Sequence, residues 1–222
     1  MPMDYLNNWL LFTLAFTLLL VVSFIMQKQS GHFYTQDVIV RKFSIMELEV
    51  PATPRELYNL VTGLYRLPPD ESKRALRALR GQLWVDFLFM PLAYGCIFLL
   101  CWRVAYKMQL PVGRYIFLAF AVGQLIPWIC DIIENRFLLS QLKPGVKEMS
   151  ERWHRSYLYM EALKWGLAIT ATVCGMGAVI YFWCIGAYSV TSLQYMMIVV
   201  VEIVVFLLAS RLSAKHSAAP KS

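Results

Sequence analysis

Charge is what this sequence has least of. Asp, Glu, Lys and Arg make up 16% of its 222 residues, against roughly a quarter in soluble domains, which argues against an ordinary water-soluble fold. Three histidines and five cysteines are present, with no C-x-x-C pair, and His32 and His216 stand without ligand-spaced partners. A zinc site or a disulfide framework is therefore not expected. Cys96, Cys101, Cys130, Cys174 and Cys184 all fall in hydrophobic runs and are expected to act as small buried apolar residues. A Walker loop, G-x-S-x-G, H-E-x-x-H, internal repeats and low-complexity tracts are also absent. These absences remove P-loop phosphate chemistry, the nucleophile elbow and the zinc proteases. They leave open whether the chain is an enzyme, and they imply no metal or cofactor.

What is present is hydrocarbon. Hydrophobic residues reach 59% and the mean hydropathy is +0.53. Five long apolar runs cover residues 9–26, 83–106, 115–139, 157–184 and 192–210, each long enough to cross a bilayer core that takes about 20 helical residues. A helix satisfies its own backbone hydrogen bonds where water is missing. The expected fold is thus all-α: a polytopic integral membrane protein with a five-helix transmembrane bundle and an amphipathic membrane-surface segment. The expected organisation is an N-terminal helix within 1–26, a surface segment over 27–82, a four-helix bundle over 83–212 and a disordered cytoplasmic tail over 213–222. The first run is expected to be a retained helix, because MPMDYLNNW has no basic residue and SFIMQKQSG offers no small-residue cleavage site.

Lys and Arg orient the chain. None precedes the first run; nine lie within 27–82, five within 136–155 and three in the tail, so seventeen fall on one side. The other side has three, Arg103, Lys107 and Arg114. By the positive-inside rule the N-terminus lies outside and the C-terminus in the cytoplasm. Small size and short loops point to a prokaryotic plasma (inner) membrane. The net charge of +7 then reflects topology and attraction to anionic inner-leaflet headgroups. Membrane lipids are the expected partners, and no nucleic-acid partner is needed.

The surface segment has its own signals. DVIVRKFSIMELEV is rich in β-branched residues and predicts a short hairpin or an extended strand. In ATPRELYNLVTGLYRL, Thr53 is an N-cap, Pro54 the first helical residue and Glu56 the closing member of a capping box; Leu57, Leu60, Val61 and Leu64 share one face. PPDESKRALRALRGQLWVDF restarts a helix capped by Asp70 or Ser72, with Leu76, Leu79 and Leu83 opposite Lys73, Arg74, Arg77 and Arg80. Such a basic face reads as an inner-leaflet anchor at about 1 kcal/mol per cation, or alternatively as a specific headgroup site.

Polar residues within the runs carry the functional question: Asp86, Asp131, Glu134, Asn135, Glu161, Lys164 and Glu202. An ionised group at mid-bilayer costs about 2.5 to 3.5 kcal/mol on insertion scales, so it faces other helices or water. At about 1.5 Å rise per residue, the first six all fall in the cytoplasmic half. Asp131, Glu134 and Asn135 stand at i, i+3 and i+4 and share a face with Gln124. Lys164 is expected to pair with Asp131 or Glu134. Pro91 and Pro127 are expected to kink their helices and free carbonyls, and Gly166, Thr170, Cys174 and Ala178 to form a close-packing stripe. Arg136, Arg152, His154 and Arg155 are the expected rim.

Two readings of the cluster follow. In one, it is a structural network that fixes helix packing in a small structural or accessory membrane protein. In the other, Asp86, Asp131, Glu134 and Glu161 serve an inner-leaflet lipid-processing enzyme as acid, base or Mg²⁺ ligands, or a proton- or ion-coupled site. Glu202, near mid-bilayer, is expected to be protonated, paired across a helix interface or part of a homo-oligomer contact. DIIEN, residues 131–135, resembles the aspartate-rich motifs of intramembrane prenyltransferases, whose carboxylates hold Mg²⁺ and diphosphate. It lacks their second aspartate and the chain has too few helices, so no activity is carried over.

Overall fold

Long apolar runs without internal caps fold as long helices, and a computed structural model describes them for residues 8–36 and 39–218. The order is α1 (Trp9–Ser30), β1 (Tyr34–Gln36), β2 (Val40–Lys42), α2 (Ile45–Glu49), α3 (Pro54–Arg66), α4 (Pro69–Lys107), α5 (Pro111–Gly123), α6 (Leu125–Gln141), α7 (Glu151–Cys184) and α8 (Val190–Ala218). Five stretches are long and apolar enough to cross a membrane: Trp9–Ser30, Pro69–Lys107, Pro111–Gln141, Glu151–Cys184 and Ser192–Leu212. Protein packing buries only 11 to 28% of their most apolar windows. Leu14, Leu18 and Val21 of α1 and Val201, Val205 and Leu208 of α8 are among the exposed apolar side chains, a surface far larger than a water-soluble monomer leaves bare.

Two compact units are built from interleaved pieces. One takes the chain up to Phe24, Phe89–Ile129 and everything from Lys164; the other takes Ile25–Leu88 and Cys130–Leu163. The expected division after residues 26 and 82 does not describe them, because α4 runs unbroken from Pro69 to Lys107. The surface segment also shares a core with α6, in which Leu57, Leu60, Val61, Leu64, Leu79 and Leu83 pack with Leu138 and Leu142. Apolar faces too sparse to form a core alone thus find one in this second unit.

Local structure in the second unit follows its capping chemistry. β1 and β2 pair antiparallel with Thr35 opposite Arg41, and the Thr35 hydroxyl donates to the Leu60 carbonyl of α3 at 3.0 Å. Gly63 permits that approach: a Cβ there would lie 2.9 Å from the Gln36 carbonyl oxygen. The expected strand ends early, because Ser44 and Glu47 form a reciprocal capping box that starts α2. Arg41 donates to Glu47 Oε2 at 2.7 Å, and this bond, with the Ser44 N–H, holds the Glu47 carboxyl below its usual range. Thr53 caps α3 as expected, accepting from the Glu56 N–H at 3.2 Å. The Glu56 carboxylate reaches past Thr53 to the Ala52 N–H at 2.6 Å, so the box does not close on Thr53. Asp70 and Ser72 do not cap α4 either; the first turn already begins at Pro68, whose carbonyl accepts from Ser72.

Four further expectations are corrected by the long helices. The run 115–139 is two helices, α5 and α6, joined at Gln124. Pro127 is the third residue of α6, where its missing N–H costs nothing, and Gln124 donates its side-chain amide to the Phe120 carbonyl at 3.0 Å. The close-packing face of α7 is Ala168, Ala171, Gly175, Val179 and Phe182, all buried, whereas Gly166, Thr170 and Cys174 are exposed and Ala178 half-buried. The buried set has the 3-4-4-3 spacing of one helix face, and Gly175 lies against Leu100 and Cys101 of α4. All five cysteines are free thiols, but Cys174 and Cys184 are exposed and not buried. The tail expectation fails over 213–218, since α8 runs to Ala218; Ala and Lys in that stretch favour helix. Residues 219–222 lie outside the described residues.

Candidate functional site

The polar cluster is assembled from α4, α6 and the first turns of α7 within the second unit. Helical spacing places Leu83 and Asp86 of α4 one turn apart, so a backbone carbonyl and a carboxylate face the same way. Asn135 of α6 answers both: its amide nitrogen donates to Asp86 Oδ2 at 2.6 Å and toward the Leu83 carbonyl at 3.4 Å. One residue back, Glu134 Oε1 accepts from the Tyr157 hydroxyl of α7 at 3.2 Å. Asn135, Glu134, Tyr157 and Glu161 are all at most 3% exposed, while Asp86 and Asp131 are half-buried.

The three-helix convergence includes the pairs Asp86–Asn135 and Glu134–Tyr157. Tyr157 is the member that sequence reasoning did not select, although it lies four residues before Glu161 on the same face. Lys164 belongs to the first unit, where it is buried and its ammonium lies 5.5 Å from the Trp165 ring centroid.

The expected rim separates into two kinds of residue. Arg136, Arg152 and Arg155 are exposed. His154 is not at a mouth: it is buried, and its ring Nε2 lies 2.8 Å from the Pro51 carbonyl. That partner is an acceptor, so Nε2 carries the proton in this bond. The basic face of α4 is solvated at Lys73, Arg74 and Arg77. Arg80, also exposed, turns to the end of α6 and donates to the Leu142 carbonyl at 2.7 Å, joined there by the Tyr65 hydroxyl at 2.9 Å. A cation at a helix C-terminus satisfies an orphan carbonyl and opposes the helix dipole.

Chemically, the pairs are acid with amide and acid with phenol. Among the described residues no three His, Cys, Asp or Glu side chains converge in a metal-holding group. No protein family, characterised protein or solved structure matches the chain. Function must be argued from the geometry itself.

Elsewhere in the first unit, Glu202 of α8 reaches α1, where its Oε1 accepts from the Thr17 hydroxyl at 2.6 Å. Of the three expectations for this residue, pairing across a helix interface describes that contact. Its Oε2 is buried and makes no hydrogen bond. The same unit contains a cavity of about 800 Å³ lined in part by Trp9, Arg103, Lys107 and Tyr188. None of these four was singled out as a site residue from the sequence. The signal lay in the charge count, since Arg103 and Lys107 are two of the three cations at 103–114, around the connection that follows the second apolar run.

Proposed function

We propose that this chain is a small multi-pass inner-membrane protein of structural or accessory type, with its N-terminus outside and its C-terminus in the cytoplasm. The polar cluster of α4, α6 and α7 fixes the register of these helices near the cytoplasmic surface. The observation that carries this reading is the matching of Asp86 by the Asn135 amide and of Glu134 by the Tyr157 hydroxyl, each across two helices. Neutral donors on separate helices tie those helices together. A hydrogen bond to a charged group contributes about 1.5 to 3 kcal/mol, and a buried carboxylate left without its donor is costly. The solvated cations of the α4 amphipathic face hold this end against anionic inner-leaflet headgroups.

The test separates this role from lipid-processing or ion-coupled chemistry. Purified Asp86→Asn, Glu134→Gln and Tyr157→Phe variants are expected to lose thermal stability in detergent in proportion to the bonds removed. Full stability in all three, with loss of a cellular phenotype, would overturn the structural reading. Single-cysteine accessibility at positions in the 143–150 connection and the 185–189 connection tests the topology, and labelling of 143–150 from outside would refute it.

A further inference from the structure

We propose that a groove between α4 and α6 in the second unit binds one anionic phospholipid, with Arg136 and Lys143 holding its phosphate and an aromatic and aliphatic wall holding its acyl part. The inference rests on the reading of this end of the protein as the inner-leaflet surface. To the general attraction of the solvated α4 cations it adds a defined site.

The groove follows from the register of the two helices. Asn135 donates to Asp86 Oδ2 and toward the Leu83 carbonyl, which ties this level of α6 to the turn of α4 that carries Trp84 and Phe87. Those two rings, three residues apart, have centroids 5.5 Å from each other and form one wall. Ile132, Arg136 and Leu139 recur on α6 at spacings of four and three, one helix face, and form the other wall. Lys143 closes the groove just beyond the end of α6 at Gln141. The volume of about 460 Å³ falls in the range of about 300–1,000 Å³ usual for small-molecule sites.

Its chemistry is graded along its length. Phe87 and Ile132 lie at the end nearer the middle of the apolar stretches, and Lys143 lies at the end where the chain leaves them. An amphiphile has the same order, with hydrocarbon inward and charge outward. Trp84 is 66% exposed; an indole so placed suits the boundary between acyl chains and headgroups, where its ring meets hydrocarbon and its N–H meets polar groups.

Charge selects the headgroup. Arg136 and Lys143 are exposed, and neither has a hydrogen bond or ion pair among the described residues. The end of α6 already has a cation, since Arg80 donates to the Leu142 carbonyl at 2.7 Å, so Lys143 is not needed there. No Asp or Glu lines the groove, and Asp86, which lies between Trp84 and Phe87 in sequence, meets the Asn135 amide instead. A guanidinium and an ammonium together suit a phosphate. A zwitterionic lipid would bring its own ammonium to two cations with no carboxylate to receive it, and a soluble phosphate would leave the apolar wall bare. An anionic phospholipid uses both.

Full-length protein, delipidated in nonionic detergent, is mixed with equal amounts of phosphatidylglycerol and phosphatidylcholine of the same chains, and retained lipid is counted by native mass spectrometry. One phosphatidylglycerol per chain is expected, preferred by about tenfold, the scale of charge-assisted hydrogen bonds to a phosphate. Arg136→Gln and Lys143→Gln are each expected to lower this preference about fivefold and to melt as the wild type does. Lys147→Gln removes the same charge from the adjoining connection and is expected to retain lipid unchanged. Phosphatidylglycerol with brominated chains is expected to quench tryptophan fluorescence in the wild type, and Trp84→Phe to keep the lipid while losing most of that quenching. Should one cation variant fail to fold, the other and Trp84→Phe decide the matter. Equal retention of the two lipids, or unchanged retention in the cation variants, overturns the proposal. A lipid-free dimer that retains no phosphatidylglycerol assigns the groove to a second copy and overturns it too. Labelling of the 143–150 connection from outside, with selective retention intact, would refute the topology and support the lipid site in the opposite leaflet, so the two failures are distinguishable.

Discussion

Replacing Asn135 tests the network at the point where one side chain serves two acceptors. Its amide meets Asp86 at 2.6 Å and approaches the Leu83 carbonyl at 3.4 Å, and the residue is 1% exposed. Asn135→Leu keeps the volume and removes the donor. A hydrogen bond to a charged group is worth about 1.5–3 kcal/mol; the Leu83 contact is long and its carbonyl already belongs to a helix, so it adds little. The expected loss is about 2 kcal/mol. Asn135→Asp is expected to be worse, about 3–5 kcal/mol, since it sets a second carboxylate against Asp86 in a buried place.

The decisive variant is the exchange, Asp86→Asn with Asn135→Asp. It restores one acid and one amide across the same two helices and is expected to recover most of the loss, giving a coupling energy of at least 1 kcal/mol in the double-mutant cycle. Equilibrium unfolding in mixed micelles with increasing dodecyl sulfate, followed by far-ultraviolet circular dichroism, reads all four proteins. An Asn135→Leu loss below about 0.5 kcal/mol, the size of an unremarkable surface change, would refute the reasoning. So would an exchange variant no more stable than Asn135→Asp.

Further outcomes follow from other contacts. Tyr157→Phe removes the donor to Glu134 and should cost about 1–3 kcal/mol in the same assay. Gly63→Ala forces a methyl toward the Gln36 backbone and should cost about 1–3 kcal/mol through overpacking, with hydrogen exchange rising first in β1 and β2. Glu202→Gln keeps an acceptor for Thr17 while removing a carboxylate whose second oxygen is buried without a bond; it should melt at or above the wild type, whereas Glu202→Ala should melt below it. Glu47 has a lowered folded pKa against 4.5 for the free group. Its capping contribution is therefore fully present above about pH 4.5 and is lost as pH falls through the folded value. Arg41→Gln should raise the Glu47 titration midpoint, measured by nuclear magnetic resonance, toward 4.5.

Much of the local structure was legible because it depends on neighbours in the chain. Five apolar runs gave five stretches long and apolar enough to cross a membrane, Thr53 and Pro54 started α3, and the alternation of Leu79 and Leu83 with Arg77 and Arg80 set which face of α4 is buried. Spacing of i, i+3 and i+4 put Asp131, Glu134 and Asn135 on one side of α6; Glu134 and Asn135 are buried there and Asp131 is half-buried. Where two signals competed locally, sequence was less decisive. Pro127 can kink one helix or open another, and the turn at Gln124 chose the second; Gly166 and Gly175 both offer small-residue contacts, and only the second meets α4.

What the sequence determined alone was chemistry and periodicity: a charge-poor, helical chain with five membrane-length apolar stretches, carboxylates placed among them and cations concentrated in alternate connections. These follow from transfer energies and the 3.6-residue repeat, which need no knowledge of the neighbours in space. Tertiary structure decided the partners. It gave Asp86 to Asn135 and Glu134 to Tyr157, took His154 from the rim to the Pro51 carbonyl, and placed Trp9, Arg103 and Tyr188 around one cavity. A hydrogen bond depends on tenths of an ångström between residues up to 185 positions apart, as Thr17 and Glu202 are, and that separation is set by packing rather than by any spacing in the chain.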